Sequence, residues 1–239
     1  MDLEAHNRQV IACRKCPRLV AWREEVAREK RKAYLDWDYW GKPVPGFGDA
    51  HARVLVVGLA PGAHGSNRTG RPFTGDASGG FLYPALYRAG FASQPDALRR
   101  EDGLKLHDIY ITAVVRCAPP ANKPTPEELD NCEPYLEWEL QRFKPRVIVC
   151  LGRIAFDRLL RMFSIRDPRM NFAHGAAHKL VPGNEEMYPW LLQGDHWLLC
   201  SYHPSRQNTQ TGRLTVRMFD RIWSKARELS EHGATSTTR

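Results

Sequence analysis

Four short apolar segments alternate with helical patterns along this chain, and this alternation limits the possible folds more than any other feature. Each segment is rich in β-branched or large apolar residues and is typical of a buried strand. The segments cover residues 53–58, 109–115, 146–152 and 196–202. The helical patterns cover residues 79–90, 126–143, 153–163 and 214–229. This order predicts an α/β fold of three layers, with helices on both faces of a central, mainly parallel four-stranded sheet.

Local signals mark two of the helices. A C-x-x-C turn at Cys13 and Cys16 precedes residues 19–34, whose composition of Ala, Val, Arg, Glu and Lys favours a helix. Thr125 is suited to cap the helix over residues 126–143, because acidic side chains fill the first turn after it.

We expect a single domain over residues 1–239. Prolines and glycines break the chain just before the first apolar segment, so residues 1–50 are expected to form an N-terminal arm or cap. Residues 164–196 are irregular and are predicted to be loops that include a short hairpin. The polar stretch 230–239 is predicted to be disordered.

Composition excludes several classes of protein. With 42% hydrophobic and 26% charged residues, the chain matches a globular protein rather than a disordered or fibrous one. No apolar run approaches the roughly 18 residues that a membrane span needs. The first six residues lack the charged-then-apolar pattern of a signal peptide, so we expect a cytoplasmic protein, associated with the nucleoid if it binds DNA.

The charge balance indicates a polyanionic partner. There are 35 basic against 27 acidic residues, a net charge of +8, and nucleic acid is the commonest partner of such a chain. Two polar segments, 62–71 and 203–213, each contain two arginines. The first 35 residues are also basic, but they are typical of the solvated face of a helix.

Six cysteines in a cytoplasmic chain indicate metal ligands or core residues rather than disulfides. Cys150 and Cys200 lie within apolar segments and are expected to be core residues. The other four follow the pattern C-x2-C…C-x14-C and are expected to hold a metal: Cys13, Cys16, Cys117 and Cys132. Four thiolates suit zinc or an iron–sulfur cluster, and the wide spacing of the second pair favours the cluster.

The loop after the first strand, residues 58–76, is a candidate ligand site, because open α/β sheets bind ligands at the carboxyl ends of their strands. It has no G-x-G-x-x-G fingerprint, and Arg71-Pro72 stands where a P-loop has Lys-Ser/Thr. It contains five glycines and several side chains suited to a flat base: His64, Asn67, Arg68, Phe73 and Asp76. The alternatives are a glycine-rich connection without a ligand and, for Asp76, a simple helix cap.

The third candidate segment, residues 201–213, also begins at the end of a strand. His203 stands beside a rigid proline, and a histidine there is able to donate a hydrogen bond to charge that develops on a substrate. Arg206 and Arg213 are natural contacts for phosphate groups.

Together these segments resemble the uracil-DNA glycosylase superfamily. The residues that carry the resemblance are the C-x-x-C turn, GLAPGAHGSNRTGRPFTGD (residues 58–76), VRCAPPANKP (115–124) and YHPSRQN (202–208). The similarity is greatest to family 5, the type b iron–sulfur glycosylases of bacteria and archaea. It extends from Cys13 to the last helix.

The resemblance implies a [4Fe–4S] cluster on the four cysteines named above, and removal of uracil and other deaminated or damaged bases from DNA. Phe73 matches the aromatic on which the flipped base stacks, and His203 matches the histidine that stabilises the departing base. Ala60 replaces the polar residue that many superfamily members carry, which leaves Asp76 as the catalytic carboxylate. Ala113 stands where family 4 has an asparagine, so a permissive pocket is expected, with Asn122 as a partial replacement.

The resulting assignment has three groups of residues. The catalytic residues are Asp76 and His203. The substrate-binding residues are Ala60, Pro61, Gly62, His64, Gly65, Asn67, Phe73, Asn122, Arg206 and Asn208. The cluster ligands are Cys13, Cys16, Cys117 and Cys132. No lysine stands in a motif as a Schiff-base nucleophile, so a monofunctional enzyme is expected, acting on DNA as a monomer and without a membrane.

Two other classes of function remain open. A non-catalytic iron–sulfur or zinc module that binds nucleic acid would explain the charge and the cysteines, but would leave Phe73 and Asp76 without a role. A hydrolase or transferase acting on free nucleotides would explain the pocket, but not the basic segment 203–213. Only DNA binding should weaken steeply with salt.

Overall fold

The computed structural model describes residues 1–183 and 185–231 and contains a six-stranded sheet in the order β1-β3-β2-β4-β6-β5. The strands are β1 (Phe47–Gly48), β2 (Val54–Gly58), β3 (Ile109–Ala113), β4 (Val147–Leu151), β5 (Ala177–Lys179) and β6 (Trp197–Ser201). The four central strands β3, β2, β4 and β6 pair in parallel, as predicted.

The prediction of four strands was wrong at the two edges of the sheet. β1 pairs antiparallel with β3, and β5 pairs antiparallel with β6, where Ala177 lies opposite Leu199. These edge strands have two and three residues, too few to produce an alternating pattern in the sequence. The short hairpin expected within residues 164–196 is not found among the described residues of that range: β5 is the one strand there, and it pairs with β6, which begins at Trp197.

Eight α-helices are found in the described part of the chain. They are α1 (Leu3–Ala12), α2 (Pro17–Glu29), α3 (Ser66–Thr69), α4 (Gly79–Arg88), α5 (Pro126–Phe143), α6 (Arg153–Met162), α7 (Arg206–Gln210) and α8 (Val216–Glu231). The bounds of α5 match the prediction, and Thr125 forms a capping box with Glu128. The last helix extends to Glu231, so Ser230 is buried in it rather than part of a tail. Residues 232–239 lie outside the described residues.

The N-terminal prediction needs a larger correction. The helix expected over residues 19–34 ends at Glu29, because Lys30 adopts a left-handed conformation with φ 55°. A single 3-10 turn, Lys32–Tyr34, follows it. The additional helix α1 begins where the side chain of Asp2 accepts a hydrogen bond from the backbone N–H of Ala5 at 2.7 Å.

The core lies on both faces of the sheet, which gives the three predicted layers. Along β2, Leu55 and Val57 pack on the face covered by α5 and α6, while Val54 and Val56 pack on the face covered by α4 and α8. This alternation follows from the twofold period of a strand. Cys150 and Cys200 lie opposite each other on β4 and β6 and are fully buried, which confirms them as core residues.

The strand order also locates the site. β2 lies between β3 and β4, so the chain leaves β2 toward one side of the sheet for β3 and returns to the other side for β4. Such a reversal opens a crevice at the carboxyl ends of the strands. None of the described helices is long and apolar enough to cross a membrane.

A buried ion pair connects α5 to the segment after β3. Glu139 Oε2 accepts a hydrogen bond from Arg116 Nη2 at 2.6 Å and one from Thr112 Oγ1 at 2.8 Å. His6 Nε2 of α1 lies 3.5 Å from Glu139 Oε1. All of these side chains are almost fully buried, so Arg116 depends on Glu139 for its charge balance.

We therefore expect Glu139→Ala to lower the free energy of unfolding by roughly 3–5 kcal/mol, because it leaves an uncompensated guanidinium in the interior. Thermal unfolding should show a midpoint lower by about 6–15 °C for a chain of this size. Asp220→Ala is the control, since it removes the exposed partner of Arg88 and should cost at most about 1 kcal/mol. Equal losses in the two variants would contradict this account.

Candidate active site

A pocket of about 540 Å³ lies where the loops after β2, β3 and β6 meet. Its volume is within the range of sites that enclose a small organic ligand. Ten of the predicted catalytic and substrate-binding residues line it: Ala60, Pro61, Gly62, His64, Gly65, Phe73, Asp76, Asn122, His203 and Arg206. Residues remote in sequence thus converge because parallel strands bring their carboxyl ends to one edge of the sheet.

Asp76 is held tightly against glycine backbone. Its Oδ1 accepts a hydrogen bond from the N–H of Gly79 at 2.9 Å, in the first turn of α4. A Cβ atom on Gly65 would lie 1.9 Å from Oδ2, and one on Gly62 would lie 3.2 Å away. Burial raises the pKa of Asp76, although the N–H groups of Gly79 and Ser78 oppose this shift. Asp76 is therefore a helix cap and a pocket residue at once.

His203 lies beside Phe73, with the two ring centroids 5.7 Å apart. Burial lowers the pKa of His203 to about 4, so the imidazole is neutral at physiological pH and able to donate one N–H. The backbone carbonyl of His203 accepts hydrogen bonds from the N–H of Ser205 and from the Asn208 side chain, both at 2.8 Å. These bonds fix the start of the loop that carries the imidazole.

Phe73 covers the carboxyl end of β2. It has a positive φ of 50°, which is uncommon for an aromatic residue, and its N–H donates to Ser66 Oγ at 3.0 Å. A Cβ on Gly58 would lie 3.1 Å from the end of the Phe73 ring. The absence of a side chain at Gly58 therefore allows the end of the ring to approach the strand, and the ring lines the pocket, where a planar group is able to stack on it.

Two residues predicted to bind substrate do not line the pocket. Asn67 is fully buried in the loop, where its Nδ2 donates to the carbonyl oxygens of Arg23 and Ala63 at 3.2 and 3.4 Å. The side-chain amide of Asn208 donates a hydrogen bond to the backbone carbonyl oxygen of His203, as described above. Both side chains act on the backbone of the site rather than facing its interior, because short amides commonly satisfy nearby backbone groups in loops.

Several lining residues were missed by the sequence analysis. They are Arg31, Tyr34, Val44 and Pro45 from the N-terminal arm, and Thr112 and Arg116 around the end of β3. The arm residues form no periodic pattern, and nothing local to them indicates which loop they pack against. The one available signal was the predicted strand over residues 109–115, which contains Thr112 and ends directly before Arg116.

The four predicted metal-binding cysteines line a second, small pocket next to α2 and α5. Arg23 Nη1 donates to Cys117 Sγ at 2.9 Å, and Asn131 Nδ2 donates to Cys16 Sγ at 3.6 Å. Burial raises the pKa of Cys117 to about 12 and that of Cys132 to about 11. Thiols in such a place become thiolates only when a cation compensates them.

The arrangement of the cysteines bears on the kind of metal. Among the described residues, no group of three or more His, Cys, Asp or Glu side chains is placed to hold a single ion. A [4Fe–4S] cluster is held by four cysteine thiolates, the number of thiols that line this pocket. Four sulfurs and a buried Arg23 around one apolar pocket are a donor set that fits a cluster.

Comparison with known families now identifies the fold and the pocket. A sequence model of the family described as "Uracil DNA glycosylase superfamily" matches residues 45–227, which contain the whole sheet and most of the pocket. The chain belongs to this superfamily. The sheet, the loop 58–76 and the segment 201–213 lie within the matched residues, whereas the pocket residues Arg31, Tyr34 and Val44 lie outside them.

Relatives of this superfamily member match nearly all of it. A type-5 uracil-DNA glycosylase of Thermus thermophilus is 56% identical over 231 residues, 96% of this chain and 99% of the relative. A type-5 uracil-DNA glycosylase of Mycobacterium leprae is 49% identical, over 94% of each chain. A type-4 uracil-DNA glycosylase of Archaeoglobus fulgidus is 33% identical over 72% of this chain and 71% of its own length. The resemblance to family 5 is confirmed.

The protonation state of His203 is open to direct measurement. We expect the His203 ring signals in an NMR titration to stay those of neutral imidazole down to about pH 5, because burial lowers the pKa to about 4. The signals are assigned by their loss in His203→Gln. A titration midpoint near the ordinary value of about 6.5 would contradict the burial of this ring.

Proposed function

We propose that this superfamily member is a monofunctional uracil-DNA glycosylase, which removes uracil and other deaminated or damaged bases during base excision repair. The observation that carries the proposal is the meeting of Phe73, Asp76 and His203 in one pocket. Relatives named type-5 uracil-DNA glycosylases that match nearly the whole chain support it.

DNA is the expected partner of the basic surface. The chain has a net charge of +8, and Arg206 stands at the pocket beside Ser205. A base inside a duplex cannot reach the pocket, so the nucleotide must rotate out of the stack at a cost of a few kcal/mol. That cost is smallest for mispaired bases, such as the uracil left opposite guanine by deamination of cytosine.

In the pocket the flipped base stacks on Phe73, and the bond between sugar C1′ and the base nitrogen breaks. The electron pair of that bond leaves with the base, and positive charge develops on the sugar. The carboxylate of Asp76 stabilises this charge and orients a water molecule, which adds to C1′ and releases a proton to the solvent. The departing base anion takes up one proton from the solvent, so the net reaction adds one water molecule. Neutral His203 donates a hydrogen bond to the base as it becomes an anion. The products are the free base and an abasic sugar.

Other pocket residues bear on the range of bases and on the fate of the strand. Ala113, at the end of β3, has no amide to select uracil by its hydrogen-bonding edge, while Asn122 and His64 provide polar contacts. A pocket that has no hydrogen-bonding group to select one base accepts several deaminated bases. No lysine is among the described residues that line the pocket, so no Schiff base forms there and the DNA strand stays intact.

We also propose that Cys13, Cys16, Cys117 and Cys132 hold a [4Fe–4S] cluster. Bound there, the cluster supplies iron–thiolate bonds that tie the N-terminal arm to the segment between β3 and α5. Its role is structural. The proposal also includes a single domain over residues 1–239, with residues 1–50 as its arm. We further propose that the protein is a monomer and is located in the cytoplasm, at the nucleoid.

The first test is a single-turnover assay on a labelled duplex with one uracil opposite guanine. We expect strand cleavage only after alkali. Asp76→Asn should lower the rate roughly 100- to 1,000-fold, as expected for loss of a charge that stabilises the transition state. Its affinity for DNA should change less than about threefold, because the interaction forms only as the bond breaks.

Asp96→Asn is the control, since Asp96 is an exposed carboxylate outside the pocket. An Asp76→Asn rate equal to that of the unchanged protein would remove Asp76 from the mechanism. Wild-type protein that binds the duplex without releasing a base would favour the non-catalytic module.

The cluster is tested separately by metal content. We expect Cys117→Ser to lose bound iron and acid-labile sulfide, and to unfold at a lower temperature, because metal binding contributes to folding. Cys200→Ala, which changes a buried cysteine within β6, is the matched control and should keep both. Full iron content in Cys117→Ser, or zinc without iron in the unchanged protein, would contradict the assignment.

A further inference from the structure

Arg68, in α3, connects the two sides of the loop around Asp76. Its side chain is buried, with 3% of its surface exposed. Nε donates to the carbonyl oxygen of His64 at 2.8 Å, and Nη2 donates to that of Gly75 at 2.6 Å. These two carbonyls belong to the peptide bonds that lead directly into Gly65 and Asp76.

The two peptide bonds define the surroundings of the Asp76 carboxylate. Gly65 packs so closely against it that a Cβ there would lie 1.9 Å from Oδ2. Gly75 also packs closely on Arg68, because a Cβ there would lie 2.5 Å from Nη2. Gly75 also has a φ of +75°, which favours glycine. A shift of the guanidinium would therefore move both walls of the carboxylate site.

The guanidinium is itself fixed by the N-terminal arm. Its central carbon lies 3.9 Å from the ring centroid of Tyr34 and 3.9 Å from that of Trp37. The two rings stand 6.4 Å apart at 80° to each other, so they form a corner around the cation. The backbone N–H of Trp40 also donates a hydrogen bond to the backbone carbonyl oxygen of Arg68 at 2.9 Å.

We propose that Arg68 is a positioning residue for Asp76, held by the aromatic corner of Tyr34 and Trp37 and acting through its hydrogen bonds to His64 and Gly75. The proposal rests on the catalytic role of Asp76 proposed above. It also gives the N-terminal arm a part in catalysis that is separate from its cysteines. Arginine is suited to this place, because only its planar fork donates in two directions while stacking on rings.

The decisive variant is Arg68→Lys, which keeps the charge but not the fork. We expect its single-turnover rate to fall roughly 30- to 100-fold, since displacement of a reacting group by about 1 Å has effects of this size. Affinity for the uracil duplex should stay within about threefold, as for an interaction that acts in the transition state. Trp37→Leu, which removes one wall of the corner, should slow the reaction in the same sense but less.

The pH profile separates positioning from a general loss of structure. The positive charges of Arg68 and Arg206 both favour the ionised form of Asp76. Arg68→Gln removes one of them, so the acid limb of the rate profile should move to higher pH. Arg68→Lys should leave the limb where it is in the unchanged protein. A purely structural role would lower the rate of both variants without this difference.

Arg99→Gln is the matched control. The Arg99 guanidinium also lies over the Trp37 ring, 5.0 Å from its centroid, but the Arg99 side chain is exposed and is not among the residues that line the pocket. Its rate should equal that of the unchanged protein.

An Arg68→Lys rate within threefold of the unchanged protein would overturn the inference, as would loss of rate and of DNA affinity in equal proportion. If Arg68→Lys does not fold, an unchanged rate in folded Trp37→Leu overturns it instead. Asp76→Asn is assayed in parallel. Unchanged protein that releases no base contradicts the proposed function itself. An active Asp76→Asn contradicts the catalytic role of Asp76, whereas a slow Asp76→Asn beside a normal Arg68→Lys contradicts only the role of Arg68.

Discussion

Parallel pairing of the four central strands is the constraint on which the rest of this molecule depends. Backbone hydrogen bonds align β2 with β3 and β4, and β4 with β6, so that all four strands end at one edge. The loops that follow the four strands therefore lie close together at that edge. The apolar core on both faces fixes the register, because a slip of one residue would turn every buried side chain of a strand toward the wrong layer.

Within the pocket, burial acts on two titratable groups with opposite chemical results. It favours the uncharged form of each, which lowers the pKa of His203 and raises that of Asp76. For His203 the neutral ring is the useful form, since a donor beside a departing anion need not carry a charge of its own. For Asp76 the ionised form is needed, and N–H groups of α4 together with the cations of Arg68 and Arg206 counteract the burial. One environment thus serves both groups because only the carboxylate has compensating neighbours.

The sequence predicted the parts of this structure that depend on local pattern. The four central strands, the helix after Thr125 and the convergence of Phe73, Asp76 and His203 followed from periodicity, capping and order of motifs. The edge strands β1 and β5 did not, because they are too short to show a period. Two further features could not be predicted: the hydrogen bonds of Asn67 and Asn208 to the backbone, and the contacts of Tyr34 and Trp37 with Arg68. They depend on how the folded chain packs, and no local sequence pattern indicates them.

The span of the pocket along the chain has a consequence for how the protein is made. Its lining extends from Arg31 to Arg206, and β6, whose end presents His203, is the last strand to leave the ribosome. A nascent or truncated chain that stops before this strand lacks an inner strand of the sheet as well as the histidine. Synthesis therefore yields an active enzyme only after β6 and His203 have been made, and products that stop before them are unable to remove bases from the genome.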